Sequence, residues 1–145
     1  MFLNVLVPDV CVDVFTDLKL YKKYKYILYK FSNDKTNFVV DAAELAESDD
    51  NNCKEYYKFY TELTCKNDPY FAVYDFDYEK PGEGYRNKII FISWVSEKAD
   101  VQDKMISATS KEVLKTKLDI SFQIEGTIAN DIEFKQVLNK VLSIK

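Results

Sequence analysis

The chain has 145 residues, 20 of them Lys or Arg and 24 Asp or Glu, with a net charge of −4 and no histidine. One domain of this length buries roughly two-thirds of its unfolded surface in a single core, and the acidic balance excludes a general polyanion binder, so any basic surface is local. Cys11, Cys53 and Cys65 form no C-x-x-C pair, which argues against a disulfide framework or a zinc site and fits a reducing compartment.

Residues 1–7 are apolar but too short to span a bilayer, lack the basic start of a signal peptide and are cut off by Pro8-Asp9. The expectation is a cytoplasmic protein that is not integral to a membrane. Pro8 and Asp9 suit a helix start, and Val10, Cys11, Val14, Phe15 and Leu18 repeat at helical spacing until about Leu20. YKYILYKF, residues 24–31, reads as a buried strand, residues 32–37 as a polar turn, and residues 38–40 as a second strand. Residues 44–52 are acidic and polar, which predicts a loop. Asn51 or Asn52 is placed to cap a helix with Cys53, Tyr56, Tyr57, Tyr60 and Leu63 on one stripe. No basic groove accompanies these tyrosines, so they are assigned to the core and not to a nucleic-acid stacking platform.

Residues 70–79 and 86–95 are the clearest strands, joined across Pro81-Gly82-Glu83-Gly84 as a hairpin. The nearly continuous apolar run from Ile89 to Trp94 predicts a central strand covered on both faces. Val101–Leu118 reads as a long helix with Ile106, Val113, Leu114 and Leu118 toward the core. Lys104, Ala108, Lys111 and Lys115 line another side with Met105 beside them. A T-x-x-E box from Thr109 to Glu112 predicts a capped restart or bend in mid-helix. Residues 120–124 read as a last strand, residues 125–131 as a loop, and residues 132–142 as an amphipathic helix. This order gives a single α/β domain over residues 1–145, a central mixed β-sheet sandwiched between helices.

Catalytic parts are missing. There is no histidine, G-x-S-x-G, P-loop or glycine-rich dinucleotide turn. Asp75, Asp77 and Glu79 recur with a period of two, so they project from one strand face and form the one candidate for a Mg²⁺ or Ca²⁺ site. The competing reading is a polar strand face near a turn, and the sequence favours it. The expectation is a protein that is not an enzyme and needs no cofactor or metal.

Several stretches share the wording of a known family. KMISATSKEVLKTKL resembles the K-M-x-Y-A-S-S-K-D-x-[LI]-[KR] segment of the actin-depolymerising factor (ADF) and cofilin family. DVCVDVFTDLKLYKKYKYILYKFSND is similar to that family's opening helix and first strand, and YFAVYDFDYE with RNKIIFISW to its central hairpin. The resemblance is specific over residues 5–33, 70–79 and 86–118, and weak over residues 34–67 and after Asp119. It implies an ADF-homology fold in a monomeric protein of the cytoplasm and cytoskeleton. It further implies binding to actin monomers and filaments, a preference for the ADP state, and filament disassembly or severing; the alternative it carries is a coactosin-like module that binds actin without severing.

Residue by residue, the resemblance implies actin contacts at Lys104 and Met105, with Lys111 and Lys115 adding charge, and phosphoinositide headgroups competing for Lys104, Lys111 and Lys115. A separate filament surface is implied at Arg86, Lys88 and Lys140. The family's regulatory N-terminal serine is absent: Leu3 and Asn4 fall where Ser-Gly would stand, and no serine precedes Ser32. The tail is therefore expected to meet actin through Phe2 and Leu3 and to escape phosphorylation. Gln102 and Asp103 replace a cation and a serine ahead of Lys104, so Asp103 adds an opposing charge, and Ser107 stands near the family's core tyrosine. Asn139 and Ser143 replace charges in the last helix.

Overall fold

A computed structural model describes residues 5–46 and 52–143. Pro8, extended at φ −62, precedes α1 (Asp9–Tyr21), which has Asp9 in its first turn and Lys19 in its last, each charge opposing the helix dipole. The helix stops where Lys22 adopts the left-handed conformation at φ 55, its N–H returning to the Asp17 carbonyl. Then follow β1 (Tyr24–Phe31), β2 (Phe38–Leu45), α2 (Asn52–Thr64), β3 (Tyr70–Lys80), β4 (Gly84–Trp94), α3 (Val101–Leu118), β5 (Gln123–Gly126), a 3-10 turn (Ala129–Ile132) and α4 (Phe134–Leu142). The strands form one five-stranded sheet in the order β2-β1-β3-β4-β5. All pairs are antiparallel except β4 with β5, so the sheet is mixed, as the sequence predicts.

Strand alternation divides the core into two layers. On one face Tyr26, Leu28, Ala72, Tyr74, Phe76, Ile90 and Ile92 meet Tyr56, Phe59 and Leu63 of α2 and Val137 and Val141 of α4. On the other face Ile27, Tyr29, Phe71, Val73 and Phe91 meet Cys11, Phe15 and Leu18 of α1 and Leu114 and Leu118 of α3. Burial of such side chains contributes about 1.5–3 kcal/mol each. Three of the buried tyrosines have a partner for the hydroxyl: Tyr29 donates to the Cys11 carbonyl at 2.8 Å, Tyr56 to the Ile132 carbonyl at 2.6 Å, and Tyr26 to Glu62 at 2.6 Å, whereas the buried Tyr74 hydroxyl meets no hydrogen-bond partner among the described residues. In the β3–β4 turn, Gly82 and Gly84 occupy φ 81 and φ 83, where an L side chain would be strained.

Several local expectations are corrected. The sheet-facing side of α3 is Ser107, Ser110, Leu114 and Leu118, with Ile106 at its margin, while Val113 is 45% exposed. Two of these buried positions are serines, and a pattern read from hydrophobicity alone does not register them. The helix is unbroken at Thr109, whose hydroxyl donates to the Ile106 carbonyl at 3.2 Å; the true N-cap is Asp100, which accepts from the Asp103 N–H. On α2 the buried stripe is Tyr56, Phe59 and Leu63, and Tyr57 is 67% exposed. The expected cap at Asn51 or Asn52 and the place of Cys53 on the stripe lie outside what is described.

The second strand runs on to Leu45 because the polar residues on this sheet edge have partners: Asp41 pairs with Lys30 and accepts from Tyr70, and Glu44 pairs with Lys58. Residues 120–122 are not strand, since Asp119 at φ 58 ends α3 and the Ile120 N–H returns to the Lys115 carbonyl. Pairing with β4 begins only at Gln123.

Candidate functional site

The sequence-predicted residues fall on two opposite sides of the sheet. On the α1/α3 side, α3 offers a long outer surface. At about 100° per residue, Lys104, Ala108, Lys111 and Lys115 run along one flank of the buried stripe, and Met105 points further out. Met105 is 67% exposed, unusual for a side chain that favours burial. The ammonium of Lys104 donates to the Glu97 carbonyl at 2.8 Å, folding the side chain over the loop before the helix. Lys111 pairs with Glu125 of β5, whereas Lys115 is half-buried and meets no carboxylate among the described residues.

The opposing charge of Asp103 is answered from outside the helix. Its carboxylate, 14% exposed, accepts from the Lys35 ammonium at 2.6 Å, and this bond holds the Lys35 ammonium above the ordinary lysine range. The N-terminal segment joins the same neighbourhood. Leu6 donates to the Thr36 carbonyl at 2.8 Å and accepts from the Phe38 N–H at 2.9 Å. A groove of about 1070 Å³ runs between residues 5–9 and the second half of α3, lined by Val5, Val7, Val113, Thr116 and Lys117 among others. Phe2 and Leu3 lie outside the described residues.

On the α2/α4 side, Arg86 and Lys88 belong to the first half of β4. β5 pairs only with residues 91–94 of that strand, so among the described residues the outer edge of β4 has no strand partner beside Arg86 and Lys88. The Arg86 guanidinium donates to the Tyr85 carbonyl at 3.0 Å and meets no carboxylate among the described residues. Lys88 lies 6.0 Å from the Phe122 ring centre, a weak cation–π contact. Lys140 is exposed in the last turn of α4. The first residue of that helix, Phe134, packs 5.5 Å from Phe76, the cross-strand partner of Lys88, so Lys140 shares the sheet face of Arg86 and Lys88 about 9 Å further along the helix axis.

Two of the three carboxylates considered for a metal are engaged by cations. Asp75, buried, accepts from Asn87 at 3.0 Å and pairs with Lys22 at 3.3 Å. Asp77 pairs with the buried Lys25 at 2.8 Å, and Glu79 is exposed. A ligand set for a hard cation needs several converging oxygens, and these three do not converge. No group of three or more potential metal ligands occurs among the described residues, and none of their helices is long and apolar enough to cross a membrane.

Comparison with known proteins decides what this arrangement belongs to. A family model described as cofilin/tropomyosin-type actin-binding protein matches residues 4–142. The chain belongs to the ADF/cofilin family. Cofilin of Kluyveromyces lactis is 42% identical over 95% of this chain and 92% of its own length, and that of Saccharomyces cerevisiae 37% identical over the same shares. Among solved structures, a cofilin of Streptomyces griseoflavus is 34% identical with a TM-score of 0.80, covering 94% of this chain and 96% of its own. The actin depolymerization factor 2 of Plasmodium berghei is 28% identical with a TM-score of 0.85, covering 99% and 100%. The mixed sheet with helices on both faces is thus the ADF-homology fold. Two features of this candidate site are absent from the sequence reading: the Lys35–Asp103 pair joins residues 68 positions apart and the Lys111–Glu125 pair links α3 to β5, and no motif spacing announces either.

Proposed function

We propose that this chain is an actin-binding protein of the cofilin type, which binds monomers and filaments, promotes filament disassembly and has no catalysis of its own. The observation that carries the reading is the family match over residues 4–142, in a fold that leaves Lys104 and Met105 exposed at the start of α3. A basic group beside an uncovered methionine suits an acidic protein surface with an apolar cleft, charge giving orientation and the thioether giving burial. Arg86, Lys88 and Lys140 are the second surface, used only on filaments. With Asn139 and Ser143 in place of charges, severing is weaker than in typical members while disassembly persists.

The protein acts as a monomer in the cytoplasm at the cytoskeleton. Phosphoinositide headgroups compete through Lys104 and Lys115, and through Lys111 once it leaves Glu125. Phe2 and Leu3 meet actin by apolar burial, and the tail carries no phosphorylation switch; stoichiometric phosphate within the first sixteen residues, tied to loss of actin binding, would contradict this. The deciding experiment is sedimentation with actin filaments, scored for pelleted protein and for released actin. Protein in the pellet together with actin in the supernatant supports the reading. A supernatant and pellet unchanged by the protein, with monomer binding absent as well, would refute it.

A further inference from the structure

Residues 32–37, the turn between β1 and β2, sit between two segments that the cofilin-type reading sends to actin. On one side the turn holds the N-terminal segment, through the Leu6 N–H on the Thr36 carbonyl and the Phe38 N–H on the Leu6 carbonyl. On the other it holds the first turn of α3, through Lys35 on Asp103. That helical turn has little else to anchor it. Val101, Gln102, Lys104 and Met105 are exposed, and the first buried residue of α3 is Ser107. Asp103 is next in sequence to Lys104, and its N–H also completes the Asp100 cap at 2.7 Å, so a pull on its side chain fixes the turn that displays Lys104 and Met105.

The turn is built to hold its shape. One oxygen of Asp34 accepts from the Ser32 hydroxyl at 2.7 Å, the Thr36 N–H at 3.1 Å and the Thr36 hydroxyl at 2.7 Å. These bonds hold its carboxyl down to about 2. Ser32 closes the loop from its N–H to the Asn37 carbonyl at 2.7 Å. Lys35 is left-handed at φ 59, a conformation that favours Gly or Asn at a position with no role for a side chain. Here that backbone geometry accompanies a side chain reaching Asp103, 68 residues away.

We infer that Lys35 is a positioning residue for monomer binding, and that the 32–37 turn is a bracket fixing the N-terminal segment and the first turn of α3 relative to each other before actin arrives. The inference rests on the cofilin-type reading, in which those two segments are the monomer contacts. Preorganisation of this kind improves affinity by sparing the ordering cost at the moment of binding.

The test is monomer affinity measured with fluorescently labelled actin for Lys35→Ala, Asp103→Ala, the double variant, Lys35→Arg and the swap Lys35→Asp/Asp103→Lys, each checked for an unchanged melting curve. Lys35→Ala and Asp103→Ala should each weaken binding about three- to tenfold, the double variant no more than either alone, and Lys35→Arg and the swap should restore most of it. In all variants that lose affinity, amide exchange at residues 101–105 should speed up. If charge alone mattered, Asp103→Ala would tighten binding to an acidic partner, and that result overturns the inference. Additive losses in the double variant would also overturn it, because they would mean that Lys35 touches actin directly. Lys104→Glu is the control: if it abolishes binding while the Lys35 and Asp103 variants bind normally, the bracket fails alone, and if it too binds normally, the underlying reading fails.

Discussion

Replacing Arg86 and Lys88 together by Ala should separate filament binding from monomer binding. Neither side chain supports the fold heavily: Arg86 makes a single bond to a neighbouring carbonyl and Lys88 a distant ring contact, so the melting temperature should barely move. In a complex, an uncovered cation meeting a carboxylate contributes about 1–3 kcal/mol, and the Arg fork can do so with two hydrogen bonds. Two such residues on one strand face are close enough to couple, so the joint loss is about 2–4 kcal/mol, or roughly 30- to 1000-fold in filament Kd. At micromolar protein that removes the pelleted fraction. Monomer affinity should change less than about twofold, because α3 packs on the opposite face of the sheet and a surface pair that far away is screened by salt. Co-sedimentation and labelled-monomer titration on the same preparation give the two numbers. A parallel fall in both, or in neither, would refute the assignment of two surfaces.

Lys104→Glu should cost about 1–3 kcal/mol in monomer affinity with an unchanged circular dichroism spectrum; a folded variant that binds as tightly as the original would remove Lys104 from the contact. Gly126→Ala should destabilise by about 1–3 kcal/mol in denaturant melts, since a methyl group there would lie 2.8 Å from Ile132 Cγ2 and 3.0 Å from Trp94 Cε3. Asp34 has its folded carboxyl lowered from 3.8 to about 2, so its contribution is fully present above the unfolded value and is lost as pH falls toward the folded one. The melting difference between the original and Asp34→Ala should therefore be constant near neutrality and shrink between about pH 4 and pH 2.

The parts of the fold legible in the sequence are those where one face is apolar and the other is not. Ile89 to Trp94 reads as a covered strand and is one, and α4 shows its stripe at Phe134, Val137, Leu138 and Val141. Reading falters where packing uses small or charged groups. Ser107 and Ser110 turn α3 so that Val113 faces out, and edge-strand carboxylates at Asp41 and Glu44 look like loop residues until Lys30 and Lys58 are in place. The Thr109 box is a local signal overruled by a helix already anchored at Leu114 and Leu118. At the candidate site, motif wording proposes residues and the fold supplies their surroundings: the partners of Asp103 and Lys111 depend on which turn and which strand come alongside α3, information that exists only once the chain has folded.

The pair between Lys111 and Glu125 has a consequence for how binding responds to ionic strength. If α3 is the face that meets actin, as proposed, an acidic surface approaching it meets a lysine already neutralised by the protein itself, so the charge that steers encounter is smaller than the number of lysines suggests. Added salt weakens the internal pair along with the intermolecular one, and the two losses offset each other at Lys111. The association rate should fall with salt as though that residue were uncharged, and removing Glu125 should speed association and steepen the salt dependence together.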